Sequence, residues 1–228
     1  GIGTYVRGDG ESDAEVGDRA NDAIRIPASG LRVKAIGEGA NLGLTQRGRI
    51  DAAVHGVRLN TDFIDNSAGV NSSDQEVNIK IALAPALADG RLDRAARNSL
   101  LVTMTDDVAR ACLANNYEQS LALSLAERRG AEAMGDWQHL MRSLEAQGIL
   151  DRKLEGLPED GALGERRKAG RGLTRPELAV LLAHAKIALS YDLIASRVPD
   201  GATMRPLLAS YFPPALQQTY ASDIAAHP

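Results

Sequence analysis

A glycine loop set between two strand-like segments constrains this chain more than any other feature in it. Leu31-Arg32-Val33-Lys34-Ala35-Ile36 alternates apolar and polar residues, the period of a half-buried strand, and then meets Gly37 and Gly39. Thr45 can cap a helix running to about His55, with Ile50, Ala53 and Val54 on one face and Gly56 as its stop. Val57-Arg58-Leu59-Asn60-Thr61 reads as a second strand. Two parallel strands joined by a helix need a right-handed crossover, so this stretch predicts one βαβ unit of an open α/β sheet. Two strands do not make a stable sheet alone, and the other strands are expected to lie outside this chain.

The character changes near Asp89-Gly90. Residues 1–90 hold 13 acidic and 9 basic side chains, whereas residues 91–228 hold 17 of each. Thirteen of the 22 glycines precede position 91. Beyond it the periodicity is helical. Leu92, Ala95, Ala96 and Leu100 share a face, and Thr105 opens a helix with Asp106 and Asp107 in its first turn, where negative charge suits the dipole. Leu121, Leu125 and Ala126 continue the pattern, and another helix covers about Asp136–Gln147, ending at Gly148. Thr174-Arg175-Pro176-Glu177 is a capping box with Pro in the first turn, followed by the apolar run Leu178–Leu189. Pro213-Pro214 opens a last short helix. The predicted fold is mainly α with a small α/β portion: a partial Rossmann-like βαβ unit in residues 1–90, then a helical array in 91–228.

Composition excludes several classes. With 44% hydrophobic and 25% charged residues, the chain is neither a disordered tail nor a collagen-like repeat. A net charge of −4 disfavours a nucleic-acid binder, which needs clustered Lys and Arg. No apolar run approaches the roughly 20 residues of a membrane span, and no signal peptide is visible. The single cysteine, Cys112, forms no internal disulfide; this fits a reducing, cytoplasmic setting, and a small apolar role is expected for it. His55, His139, His184 and His227 lack metal-ligand spacing, so no metal is expected.

Two loops carry the candidate chemistry. Glycines 37, 39 and 43 follow a strand and precede a helix, as a dinucleotide-binding loop does, but the third falls one residue late for the usual fingerprint. They read either as a phosphate-binding loop or as plain turn glycines. Asn41 sits at the carboxyl end of the first strand, where open α/β sheets bind ligands, although an Asn there is also a common turn residue. At the end of the second strand, small residues 67–69 allow close approach, and Asn66 can both donate and accept. A capped turn into a helix beginning near Ser72 or Ser73 accounts for the same residues equally well.

Gly37-Glu38-Gly39-Ala40-Asn41, Asn66-Ser67-Ala68-Gly69-Val70 and Ser73 are similar to the coenzyme-domain signatures of glutamate dehydrogenases. Gly37–Arg49 and Leu59–Ile81 resemble the large, NAD-specific bacterial members in particular. Thr105-Asp106-Asp107-Val108, Asn116-Tyr117, residues 122–127 and residues 172–180 resemble the C-terminal helical region of that family. The resemblance therefore spans essentially the whole chain.

It implies NAD-dependent oxidative deamination of L-glutamate to 2-oxoglutarate and ammonia. Asn41 matches a loop Asn that contacts the coenzyme ribose, and Asn66 an Asn near the nicotinamide end. Asn21 matches, more loosely, an Asn before the preceding helix, and Gly39 would permit close backbone approach. Ser73 matches the Ser that binds the substrate's side-chain carboxylate, a role for a hydroxyl at a helix start. The family's catalytic Lys and Asp belong to an upstream domain, and no residue here is assigned a catalytic role. Lys34 and Lys80, the lysines before position 91, read as solvent-facing or tail-packing. The chain thus reads as the C-terminal part of a larger enzyme. The alternative is that its helical part is a non-catalytic assembly or regulatory module, whose near-neutral charge would suit packing on other subunits. The parent is expected to be a homo-oligomer.

Overall fold

Residues 3–227 are described by the structure, a computed structural model. Two short strands, β1 (Val6–Arg7) and β2 (Ile26–Pro27), accompany helices α1 (Asp13–Val16), α2 (Gln46–Val54), α3 (Asp62–Asp65), α4 (Ser67–Ala88), α5 (Arg94–Thr103) and α6 (Thr105–Arg128). Then follow α7 (Met134–Ala146), α8 (Asp160–Lys168), α9 (Arg175–Ile194), α10 (Arg205–Tyr211), α11 (Pro214–Thr219) and α12 (Ala221–Ala225). The chain packs as two units, one of residues 1–66 with 118–191, the other of 67–117 with 192–228.

In the first unit the sheet is parallel, as expected, but it is built from different residues. β1 pairs with β2 in the register Val6↔Ile26 and Arg7↔Pro27, and Val6 also bridges Leu44 in parallel. The two strands predicted over Leu31–Ile36 and Val57–Thr61 shrink to a single parallel bridge, Ala35↔Arg58. It is closed by Ile36 N–H to Arg58 O and Arg58 N–H to Lys34 O, both 2.9 Å. The amide of Leu31 is spent on a tight turn to Ala28 O (3.1 Å), so regular pairing cannot begin there. In 57–60 the alternation survives, with Val57 and Leu59 buried and Arg58 exposed.

α2 is the predicted helix: the Thr45 hydroxyl accepts from Gly48 N–H (2.9 Å), and Gly56 follows with φ +89°. The buried face differs. Gly48, Arg49, Ile50 and Ala52 are inside, whereas Val54 is exposed. The cause is close approach to β1, because a Cβ on Gly48 would stand 3.0 Å from Val6 O and Arg7 C. That contact sets the rotation of the helix and turns Val54 outward. Val6, Ala28, Leu44, Ala52, Val57 and Leu59 form the small core beneath it.

The larger core of this unit is helical. Leu123, Met134, Met141, Leu144, Leu163, Leu178 and Leu181 interdigitate there, and Ile64 of α3 is inserted among them. The 174–177 motif caps α9 as predicted: Glu177 accepts from Thr174 N–H (2.7 Å) and the Thr174 hydroxyl (2.8 Å). Glu177 is fully buried, and both its oxygens lie 2.8 Å from Arg166 Nη1. α7 begins two residues before its predicted start, and Gly148 beyond it takes φ +68°.

The second unit closes around Ile79, Leu83, Met104, Phe212, Leu216 and Ile224. α4 begins at Ser67 rather than near Ser72 or Ser73, because no breaker separates it from α3 and the buried Ser67 accepts from Asn116 Nδ2 (3.0 Å). Thr105 starts α6 as predicted, but its hydroxyl donates to Val102 O (2.9 Å) instead of capping an amide. α5 buries no residue of its own, so Ala95 and Ala96 face solvent while Leu92, just before it, is buried. Among the described residues no helix is long and apolar enough to cross a membrane.

Candidate functional site

At the carboxyl ends of the extended segments, loop 37–44 is latched onto α3. Asp65 Oδ2 accepts from Glu38 N–H (2.9 Å), and Asp62 Oδ2 accepts from Leu42 N–H (3.2 Å). The Glu38 side chain folds back to accept from Leu44 N–H (3.2 Å), so the loop closes on itself. Arg49 of α2 grips the same carboxylate through two parallel bonds, Nε to Oε2 and Nη2 to Oε1, both 2.8 Å. Its Nη2 also lies 3.0 Å from Asp62 Oδ2. Burial opposes the charge on Arg49, but the Glu38 and Asp62 carboxylates outweigh it and hold the guanidinium above its ordinary value.

This clamp fixes a strained backbone. Asn41 and Leu42 have φ of +57° and +61°, a region side chains other than Gly avoid. Asn tolerates it; an exposed Leu does so at a cost. The strain presents the Asn41 carboxamide to Asn66, whose Nδ2 donates to Asn41 Oδ1 at 2.7 Å. Two residues singled out in the sequence, 25 apart, are thus brought into direct contact. Gly37 and Gly39 have no atom within 4 Å of where a Cβ would stand, so nothing in the fold requires glycine there.

The other two candidates stand apart. Asn21 closes a short turn, donating to Asp18 Oδ2 (2.6 Å). Ser73 belongs to the second unit, exposed on α4 and well inside the helix rather than at its start. It points away from the polar face of Ser67, Asn71, Asp74 and Asn78, because two residues along a helix turn a side chain by about 200°. On that face Tyr211 O–H donates to Asp74 Oδ2 (2.6 Å), and Asn78 Nδ2 donates to Tyr211 O–H (3.2 Å). Lys80 is exposed and paired with Glu76, and Lys34 is exposed. Cys112 is buried, and among the described residues no group of His, Cys, Asp and Glu could hold a metal.

Sequence reasoning missed Glu38, Arg49, Asn60, Asp62, Asp65 and Arg175. Asn60 Nδ2 donates to Asp65 Oδ1 (2.9 Å), and Asn60 Oδ1 accepts from Arg175 Nε (3.0 Å). The one available signal was the position of Arg49, beside Ile50 and three residues before Ala52, on what becomes the buried face.

The chain is mainly helical with a small parallel α/β part, and the carboxyl ends of its extended segments carry a clamped glycine loop and facing carboxamides, the edge at which open α/β sheets bind ligands. Residues 1–126 match the family described as bacterial NAD-glutamate dehydrogenase, catalytic domain, and residues 170–228 match glutamate dehydrogenase, C-terminal. The chain belongs to the bacterial NAD-glutamate dehydrogenase family. Over 227 residues it is 50% identical to the NAD-specific glutamate dehydrogenase of Halomonas elongata, 48% to that of Pseudomonas aeruginosa and 42% to that of Mycobacterium tuberculosis. All of this chain is covered in each case, but it spans only 14% of each relative's length.

Proposed function

We propose that the whole protein catalyses the NAD-dependent oxidative deamination of L-glutamate to 2-oxoglutarate and ammonia, and that this chain supplies part of its coenzyme and substrate sites. On this reading residues 1–90 are the C-terminal part of an NAD-binding Rossmann-like domain, and 91–228 a C-terminal helical domain of a cytoplasmic homo-oligomer. The observation that carries the reading is the contact between Asn41 and Asn66 beside the open glycine loop, together with kinship over the full chain.

The residues present fit a dinucleotide. Space beside Gly37 and Gly39 admits a ligand against the backbone, and neutral carboxamides supply donors and acceptors suited to ribose hydroxyls and an amide. Bound NAD supplies the hydride acceptor. Asn41 and Asn66 hold and orient it, Gly39 lets it approach, and Asn21 contributes from the earlier turn. Ser73 would donate a hydrogen bond from its hydroxyl to the substrate's side-chain carboxylate. The proton transfers belong to residues in the remainder of the protein, and this chain by itself is expected to produce no NADH from glutamate.

The test uses the full-length protein, following glutamate-dependent NAD reduction. Ser73→Ala should weaken glutamate by roughly tenfold to a hundredfold, the loss of a hydrogen bond to a charged carboxylate, and Asn41→Ala should weaken NAD by roughly two- to tenfold, the loss of a neutral one. Absence of that activity in the wild type would refute the reading. So would variants that leave both apparent affinities unchanged.

A further inference from the structure

The Thr174-Arg175-Pro176-Glu177 motif caps α9, yet the side chain of Arg175 does nothing for that cap. It runs instead toward the loop. Arg175 Nε donates to Asn60 Oδ1 (3.0 Å), Asn60 Nδ2 donates to Asp65 Oδ1 (2.9 Å), and Asp65 Oδ2 accepts from Glu38 N–H (2.9 Å). On its other side Nη1 meets Ser124 Oγ (3.0 Å) and Glu127 Oε2 (3.1 Å) of α6. All of these residues lie in the first unit. The guanidinium is mostly buried and engaged at both ends.

We propose that Arg175 is a positioning residue for loop 37–44, through which the carboxyl-terminal helical part of the chain sets the geometry of the coenzyme site. The proposal rests on the reading of that loop as a coenzyme loop. Three physical facts support it. Asp65 can only accept, so Asn60 must turn its Nδ2 toward it, and the guanidinium bonded to the amide oxygen holds Asn60 in that orientation and position. With the amide donor held on Oδ1, Asp65 keeps Oδ2 free for the loop amide, and bonds in such a chain strengthen one another. The planar fork of Arg can serve Asn60 and Glu127 together, which the single ammonium of Lys cannot. The segment being steered is also well anchored: Ile64, next to Asp65, is buried in the core with Leu123 and Leu178, and Asn66 follows directly. Glu38, at the end of the relay, is three residues from Asn41.

The test compares full-length wild type with Arg175→Ala, Arg175→Lys and Asn60→Ala. In Arg175→Ala the KM for NAD should rise about two- to thirtyfold, the range of couplings carried through such networks, with the KM for glutamate unchanged. Amide hydrogen exchange at residues 38–44 should quicken while α7 keeps its protection. Arg175→Lys should not restore either value. Combining Arg175→Ala with Asp65→Asn should raise the KM for NAD by less than the product of the single effects, because both break one relay. An unchanged KM for NAD with a merely less stable protein, rescue by Lys, or independent effects in the double variant would overturn the proposal. Should Arg175→Ala fail to fold, Asn60→Ala cuts the same relay, and unchanged exchange at 38–44 in it refutes the idea alone. If the wild type does not reduce NAD with glutamate, the coenzyme reading falls, while the exchange measurement still decides the relay.

Discussion

Replacing the buried Arg49 with Met should damage this fold severely. Met keeps the length of the stem but removes the group that makes two 2.8 Å bonds to Glu38 and a 3.0 Å contact to Asp62. The Glu38 side chain is only 8% exposed, so its carboxylate cannot exchange the lost partner for bulk water. Breaking a buried pair by removing one member costs about 3–5 kcal/mol, a large share of the 5–15 kcal/mol that holds a domain together. With a urea m-value of about 2–3 kcal/mol/M for a chain of this size, the midpoint should fall by about 1–2 M. Adding Glu38→Gln removes the stranded charge and keeps an oxygen for Leu44 N–H. The double variant should therefore recover about 2 kcal/mol or more. A fall of less than about 1 kcal/mol in the single variant, or no recovery in the double, would refute the account of a buried charge clamp.

Leu42→Gly should stabilise the chain by about 0.5–1 kcal/mol, since the left-handed conformation costs Leu about 1–2 kcal/mol and glycine's extra unfolded-state entropy returns part of it; denaturant unfolding would detect this. Glu177→Ala should cost about 3–5 kcal/mol by stranding Arg166 beside a cavity, with thermal unfolding as the check and a loss below 1 kcal/mol as the contrary result. Burial and the neighbouring Asp74 carboxylate push the Tyr211 hydroxyl up to about 12. The folded state therefore holds that proton more tightly than the unfolded one. Its stabilising contribution is complete below pH 10 and is lost as pH rises to about 12. Tyr211→Phe should lack that alkaline loss, and the absorbance titration at 295 nm should lose its latest-ionising tyrosine.

Local chemistry was legible in the sequence wherever one segment decides its own conformation. Thr45 and Gly56 bound α2, Gly148 follows α7, and the 174–177 box opens α9, because caps and left-handed glycines act within a few residues. The parallel sense of the extended segments was also readable, since a crossover helix permits nothing else. Strand length was not. A ladder exists only where a neighbour supplies bonds, and Leu31–Ile36 finds one at Ala35 alone.

The candidate loops divide in the same way. Asn41 and Asn66 stood out as polar groups among glycine and small residues, at the ends of predicted strands. Their contact at 2.7 Å is a tertiary fact, as is the clamp beneath it. Nothing in the local sequence pairs Glu38 with Arg49, and Arg175 reads there as part of a cap. Only packing decides that a carboxylate is cut off from water, and only then does its partner become obligatory. The sequence by itself determined which short stretches turn, cap or coil, because those energies are local. The tertiary structure decided which charges are buried and what they reach, because desolvation depends on what the rest of the chain places around them.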